Sequence, residues 1–120
     1  RLKQYPNIKF IAHGPFWWAN ISTNCLYRKY PKGKISEDGL IERVLTEYDN
    51  LYCDISGLGG YNALKRDSGY IKNFLERFQD KILFGTDTYK FNQAAFLKKI
   101  KLSNGCLKKI FEKNFEKIIK

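Results

Sequence analysis

The chain of 120 residues contains no methionine, one histidine and three prolines. A single histidine excludes a metal site built on several imidazoles from this chain alone. Its three cysteines, Cys25, Cys53 and Cys106, are odd in number and widely spaced, and no C-x-x-C occurs. That pattern fits neither a disulfide framework nor a zinc knuckle, and free thiols in a reducing cytoplasm are the reading. No apolar run approaches the roughly 20 residues of a membrane helix. No apolar segment follows the opening Arg1-Leu2-Lys3-Gln4-Tyr5-Pro6, so no signal peptide is visible. The start at Arg1 and the missing methionine point to a piece of a longer or processed chain.

What is present is a packable composition: 43% hydrophobic and 16% aromatic residues, enough for one domain's core. The net charge is +10, and residues 90–120 carry nine lysines against two glutamates. Such a tail is read as the solvated face of helices rather than a nucleic-acid-binding surface, because no aromatic residues interleave with it in a recognisable motif. Nucleic acid is therefore disfavoured as a partner, and no membrane is expected.

Three short apolar runs bounded by turn formers predict strands: 8–13, ending at Gly14-Pro15; 51–56, ending at Gly57; and 82–87, following Asp80-Lys81. Between and after them lie helical stripes. Leu40, Ile41, Val44, Leu45 and Tyr48 form one, and Tyr70, Ile71, Phe74, Leu75 and Phe78 repeat its offsets. Asp38 and Ser68 are the expected N-caps. A third helix is expected over 91–101. A fourth stripe, Leu107, Ile110, Phe111, Phe115, Ile118 and Ile119, opens at Ser103-Asn104-Gly105, with Asn114 interrupting it. Alternating strands and helices predict a parallel sheet. Long segments after the strands and short ones before them predict function at the strand C-terminal ends, as in a (β/α) barrel.

His13 ends the first predicted strand and Asp87 the third, so both project at one rim. An imidazole and a carboxylate there can share a metal or work as base and proton carrier. Asp54, inside the second strand, reads as a buried hydrogen-bonded carboxylate. Phe16-Trp17-Trp18 could wall a substrate pocket or pack on neighbouring helices. Tyr61, Asn62, Arg66 and Asp67 are placed on a loop after the second strand. There Arg66 could grip a substrate carboxylate or order the loop with Asp67. Tyr30-Pro31-Lys32-Gly33-Lys34 reads as a solvated loop.

The strings at 5–15 (YPNIKFIAHGP), 50–56 (NLYCDIS) and 82–87 (ILFGTD), with the tail LKKIFEKN at 107–114, resemble the amidohydrolase superfamily. The likeness is to its amidohydrolase-related branch of metal-dependent hydrolases and decarboxylases. Residues 59–67 (GGYNALKRD) are similar to a loop of one subgroup within it. The resemblance runs from about residue 5 to the end. It implies an α/β fold: the last three β/α units, strands six to eight, of a TIM-type (β/α)8 barrel. Residues 1–120 would form a partial domain whose upstream half is missing. It implies catalytic and metal-ligating roles for Asp87 and His13, with Asp87 as ligand and proton shuttle and His13 as base, polarising group or ligand. It also implies a substrate pocket near Trp17, Trp18, Tyr61, Asn62 and Arg66. The implied cofactor is a divalent metal, Zn²⁺ above all, in an intact parent. The implied reaction is metal-activated water attacking a C–N or C–O bond of a small-molecule substrate, or decarboxylation at the same site. The family's first-strand histidine pair and its middle-strand ligand have no counterpart here, so this chain alone is expected to be inactive. Rival expectations are a non-catalytic remnant and a basic nucleic-acid-binding module. The partners expected are the missing N-terminal half or a second copy of the chain.

Overall fold

The computed structural model describes residues 1–23, 28–36, 39–88 and 90–120. Cys25 and the expected cap Asp38 lie outside the described residues. Strands β1 (Phe10–Ala12), β2 (Leu51–Asp54) and β3 (Ile82–Leu83) form a parallel sheet in the order β1-β2-β3. Phe10 pairs with Leu51, Ala12 with Cys53, and Cys53 in turn with Ile82. Alternation along the strands turns Phe10, Ala12, Leu51, Cys53 and Ile82 into the helix-covered core. It sends Ile11, Tyr52 and Leu83 to the opposite face, where Ile11 is exposed but Tyr52 and Leu83 are buried.

The helices follow the predicted stripes closely. Helix α2 (Leu40–Glu47) buries Ile41 and Leu45, and α4 (Ser68–Arg77) buries Ile71, Phe74 and Leu75. The cap of α4 is Asp67, one residue before the expected Ser68. Its carboxylate accepts the Tyr70 N–H at 3.2 Å and the Ile35 N–H at 3.1 Å, which holds its pKa below the usual value. Helix α5 spans Gln93–Lys99, within the expected 91–101.

The expected barrel segment is not what forms. The chain makes a small α/β unit around a core of its own, in which Ile21, Ile41, Leu64, Ile71, Leu97 and Ile110 are buried together. Nothing in it goes beyond generic parallel α/β architecture to strands six to eight of a (β/α)8 barrel. The physical reason lies in the segments after the strands. Each of the first two segments read as long loops carries a helix: α1 covers Pro15–Ala19 and α3 covers Gly57–Arg66. Glycine-rich sequence is a poor helix former, but here close packing decides. A Cβ on Gly59 would lie 2.7 Å from Pro15 Cα, and one on Gly60 would lie 2.3 Å from the Ile55 carbonyl oxygen. Glycine lets α3 sit against α1 and the end of β2 where no other residue fits.

The last helical stretch comprises α6 (Asn104–Lys108), a π-helical turn (Lys109–Lys113) and α7 (Asn114–Ile119), with Ser103 capping its start. The wide turn has a definable purpose. The Asn114 N–H reaches back five residues to the Lys109 carbonyl rather than four to Ile110. The Ile110 carbonyl is thereby freed and accepts the Phe84 N–H just after β3, at 3.0 Å. The expected interruption at Asn114 is thus a widened turn, not a break. The buried Asn114 amide donates to the carbonyls of Gln79 at 2.6 Å and Ile82 at 2.8 Å, fixing the helix across the start of β3. Lys9 Nζ meets the carbonyls of Lys117 and Ile118 at the helix's far end, a cation where the dipole favours one.

Among the described residues, no helix is long and apolar enough to cross a membrane.

Replacing Asn114 with alanine leaves the Gln79 and Ile82 carbonyls without this donor in a buried place. The expected loss of stability is about 2 kcal/mol, read as a lower urea midpoint at unchanged slope.

Candidate functional site

The C-terminal ends of the three strands form one rim. Because Ala12 pairs with Cys53, the next residues, His13 and Asp54, stand side by side. His13 Nδ1 and Asp54 Oδ1 are 2.8 Å apart. Ser56 closes the cluster: its hydroxyl donates to Asp54 Oδ1 at 2.6 Å and lies 3.1 Å from His13 Nδ1. Its backbone N–H donates to the same Asp54 oxygen at 3.2 Å. From below, the Trp18 indole N–H donates to the Asp54 carbonyl at 2.8 Å. The Asp54 backbone and side chain are therefore held separately.

Asp87 comes from the segment after β3. Its φ of 60° is left-handed, a region aspartate enters more readily than most residues. Its Oδ2 lies 3.8 Å from His13 Nε2, beyond hydrogen-bond reach. Gly57 bounds the other side. It has a φ of 71°, its N–H donates to the Thr86 carbonyl at 3.0 Å, and a Cβ there would stand 3.1 Å from Asp87 Oδ2. The left-handed φ favours glycine at this position, and a side chain there would crowd Asp87.

The His13 side chain is 46% exposed, so solvent reaches the pair. Its pKa is raised above 6.5, first by the hydrogen bond to Asp54 and further by the charges of Asp54 and Asp87, against a smaller opposing effect of burial. An ionised carboxylate can only accept, so Asp54 selects the tautomer with hydrogen on Nδ1 and leaves Nε2 as the open nitrogen.

The structure places His13 directly after β1 and 3.8 Å from Asp87, but β3 ends at Leu83, so Asp87 reaches the rim on the segment after the strand and not at the strand end that the sequence suggested. The supposed pocket residues have other contacts. Trp18 is 2% exposed and packs edge-on against Phe74 in the core. Trp17 packs on the same core beside the Cys53 thiol, whose pKa burial pushes far up. Phe16, in contrast, is exposed. Tyr61, Asn62 and Arg66 lie on α3, not on a loop. Asn62 is buried, donating to the Pro31 carbonyl at 2.9 Å and accepting from Lys32 Nζ at 2.5 Å. Arg66 donates from Nε to the Gly33 carbonyl at 3.1 Å. The segment read as a solvated loop is thus stapled to α3, with Pro31 and Ile35 buried. Tyr61 stacks on Phe91 at 5.3 Å between ring centroids.

Sequence reasoning gave Asp54 a structural role and passed over Ser56. The available signal was the register itself: two parallel strands aligned at their ends place the residue after each beside the other.

Among the described residues, no group of three or more histidine, cysteine, aspartate or glutamate side chains could hold a metal ion. His13 and Asp87 are suitable donors by chemistry but are only two, where a catalytic zinc takes three protein ligands. The residues described do not by themselves fit the metal that the resemblance implies. No family model, no curated protein and no solved structure matches this chain.

The raised pKa of His13 fixes the sign of its pH dependence. Stability from the charged imidazole is fully present below the unfolded value of about 6.5 and is lost as pH rises through the higher folded value. Asp54→Asn removes the largest cause. The expected result is a His13 pKa moved down toward 6.5, read from the imidazole proton shifts by NMR titration.

Proposed function

We propose that this rim is the proton-transfer part of a hydrolytic centre of the amidohydrolase kind, in which water attacks a C–N or C–O bond of a small-molecule substrate. The observation that carries the reading is the imidazole of His13 held at Nδ1 by Asp54 while Nε2 faces Asp87 across 3.8 Å. Neutral Nε2 takes a proton from water as the oxygen adds to the substrate carbon. Asp54 stabilises the imidazolium that forms, and the same proton then goes to the departing nitrogen or oxygen. Asp87 hydrogen-bonds the attacking water and orients it toward Nε2. The Asp54 hydrogen bond raises the His13 pKa from its ordinary 6.5, which makes the imidazole a stronger base.

In metal-dependent members of such a family, a divalent ion supplies hydroxide near neutral pH. Among the described residues His13 and Asp87 are too few to hold such an ion, and the proton steps above run on this chain's own groups. The free, buried Cys53 and Cys106 support a reducing, cytoplasmic setting. Burial pushes the Cys106 thiol up to about 11 and Cys53 higher still, so neither supplies a nucleophile.

The test is hydrolysis of a panel of chromogenic aryl esters and anilides by a chain that supplies the upstream half as well; these 120 residues alone are expected to be inactive. The expected rate rises with pH as His13 loses its proton. His13→Gln should reduce it by about 10²–10⁴-fold, and Asp87→Asn should also lower it strongly, both with an unchanged circular dichroism spectrum. An Asp87→Asn protein with wild-type turnover would remove the role given to Asp87.

A further inference from the structure

Sequence order separates the lysine-rich region from aromatic residues; the fold does not. Helix α3 carries Tyr61 and Lys65 to the flank of α5, beside Phe96, Lys98 and Lys99. Together they line an open groove of about 710 Å³, the size of a small-molecule site. Tyr61 is the floor. Its ring stacks on Phe91 with planes 26° apart, and Lys65 Nζ stands 5.0 Å from its centroid. Lys65, Lys98 and Lys99 are all exposed side chains, and among the described residues no carboxylate lines the groove. Lys65, over Tyr61, and the groove-lining Lys98 and Lys99, Lys98 with its Nζ 6.0 Å from the Phe111 centroid, match one ligand chemistry beside this aromatic pair: a planar ring joined to a multiply charged anion.

We propose that the groove between α3 and α5 binds nucleotide phosphates, with the phosphates on Lys65, Lys98 and Lys99 and the base against the Tyr61–Phe91 pair. Lys65 now covers Tyr61. Swinging its long side chain outward to a phosphate uncovers the ring for the base, so one motion makes both contacts. Base–aromatic stacking accepts any base because every base has a π-face, and lysine meets phosphate as a point charge that tolerates varied geometry. The chemistry is the same whether the nucleotide is free or part of a single strand.

The experiment is a set of calorimetric titrations with ADP, inorganic phosphate and a ten-residue oligothymidylate at low salt. Binding of ADP well above inorganic phosphate supports a free nucleotide as the ligand. Binding of the oligonucleotide alone, with affinity falling by a log–log salt slope of about −2 for three phosphate contacts, supports a single strand as the source. Lys98→Glu/Lys99→Glu should weaken binding at least tenfold. Lys3→Glu/Lys72→Glu, with the same change in net charge on exposed residues outside the groove, should weaken it less than threefold. Tyr61→Leu should lower affinity for ADP and leave that for inorganic phosphate unchanged. Equal losses in the two lysine pairs would show attraction to overall charge and overturn the groove. ADP and phosphate binding alike would overturn the base contact, and no binding of any of the three would overturn the proposal.

Discussion

The hydrogen-bond ladder on both edges of β2 is the constraint on which the rest of the molecule depends. Its four residues pair with β1 on one side and β3 on the other, so this strand sets the register of the sheet. Cys53, at its centre, is wholly buried, and the helices close over the face it shares with Ile82. Moving β2 by one residue would reverse its faces. Tyr52 would enter the helix-covered core and Cys53 would leave it. The same shift would separate Asp54 from His13, because their contact is the register continued one residue past the ladder.

Short strands need help at their ends, and the chain supplies it with side chains and one released carbonyl. Asn114 binds backbone at the start of β3, and the π-helical turn presents Ile110 to Phe84 just past its end. Gln93 is buried under the next loop and donates to the carbonyls of Ile55 and Gly57. The Trp18 indole binds the carbonyl of Asp54. A buried backbone group without a partner costs about as much as a lost hydrogen bond. These side chains therefore stabilise an edge that two or three ladder residues cannot complete.

The rim and the groove place charge differently. At the rim, two carboxylates flank one imidazole and raise its pKa. At the groove, lysines gather beside aromatic rings, and no carboxylate lines it among the described residues. The chain's excess of positive charge is thus not spread evenly, and the acidic residues at the strand ends are positioned to hold a proton.

Much of this was legible in the residues alone. The stripes at 40–48 and 70–78 have helical period because a helix with one buried face requires it, and both form as read. The three apolar runs become strands because their neighbours are turn formers, and alternation of strand and helix made them parallel. His13 sits just past β1 as read, whereas Asp87 lies beyond the end of β3 and reaches the rim through a left-handed turn. Other features depended on contacts between residues far apart in the chain. The glycine-rich stretch at 57–60 reads as loop by propensity, yet it folds as helix because only glycine admits the close approach of Pro15 and Ile55. Asn62 and Arg66 read as polar groups for a ligand, yet they bind the backbone of residues 31–33, whose placement no local pattern encodes. The barrel expectation failed on this point: β/α alternation is local and common to many folds, whereas the number of strands and their closure are set by packing. The sequence by itself determined which segments are helix or strand and which faces are apolar, because those follow from the spacing of neighbours. The tertiary structure alone decided that Asp54 meets His13, Asn114 meets Gln79 and Tyr61 meets Phe91, because these partners lie 30 or more residues apart along the chain.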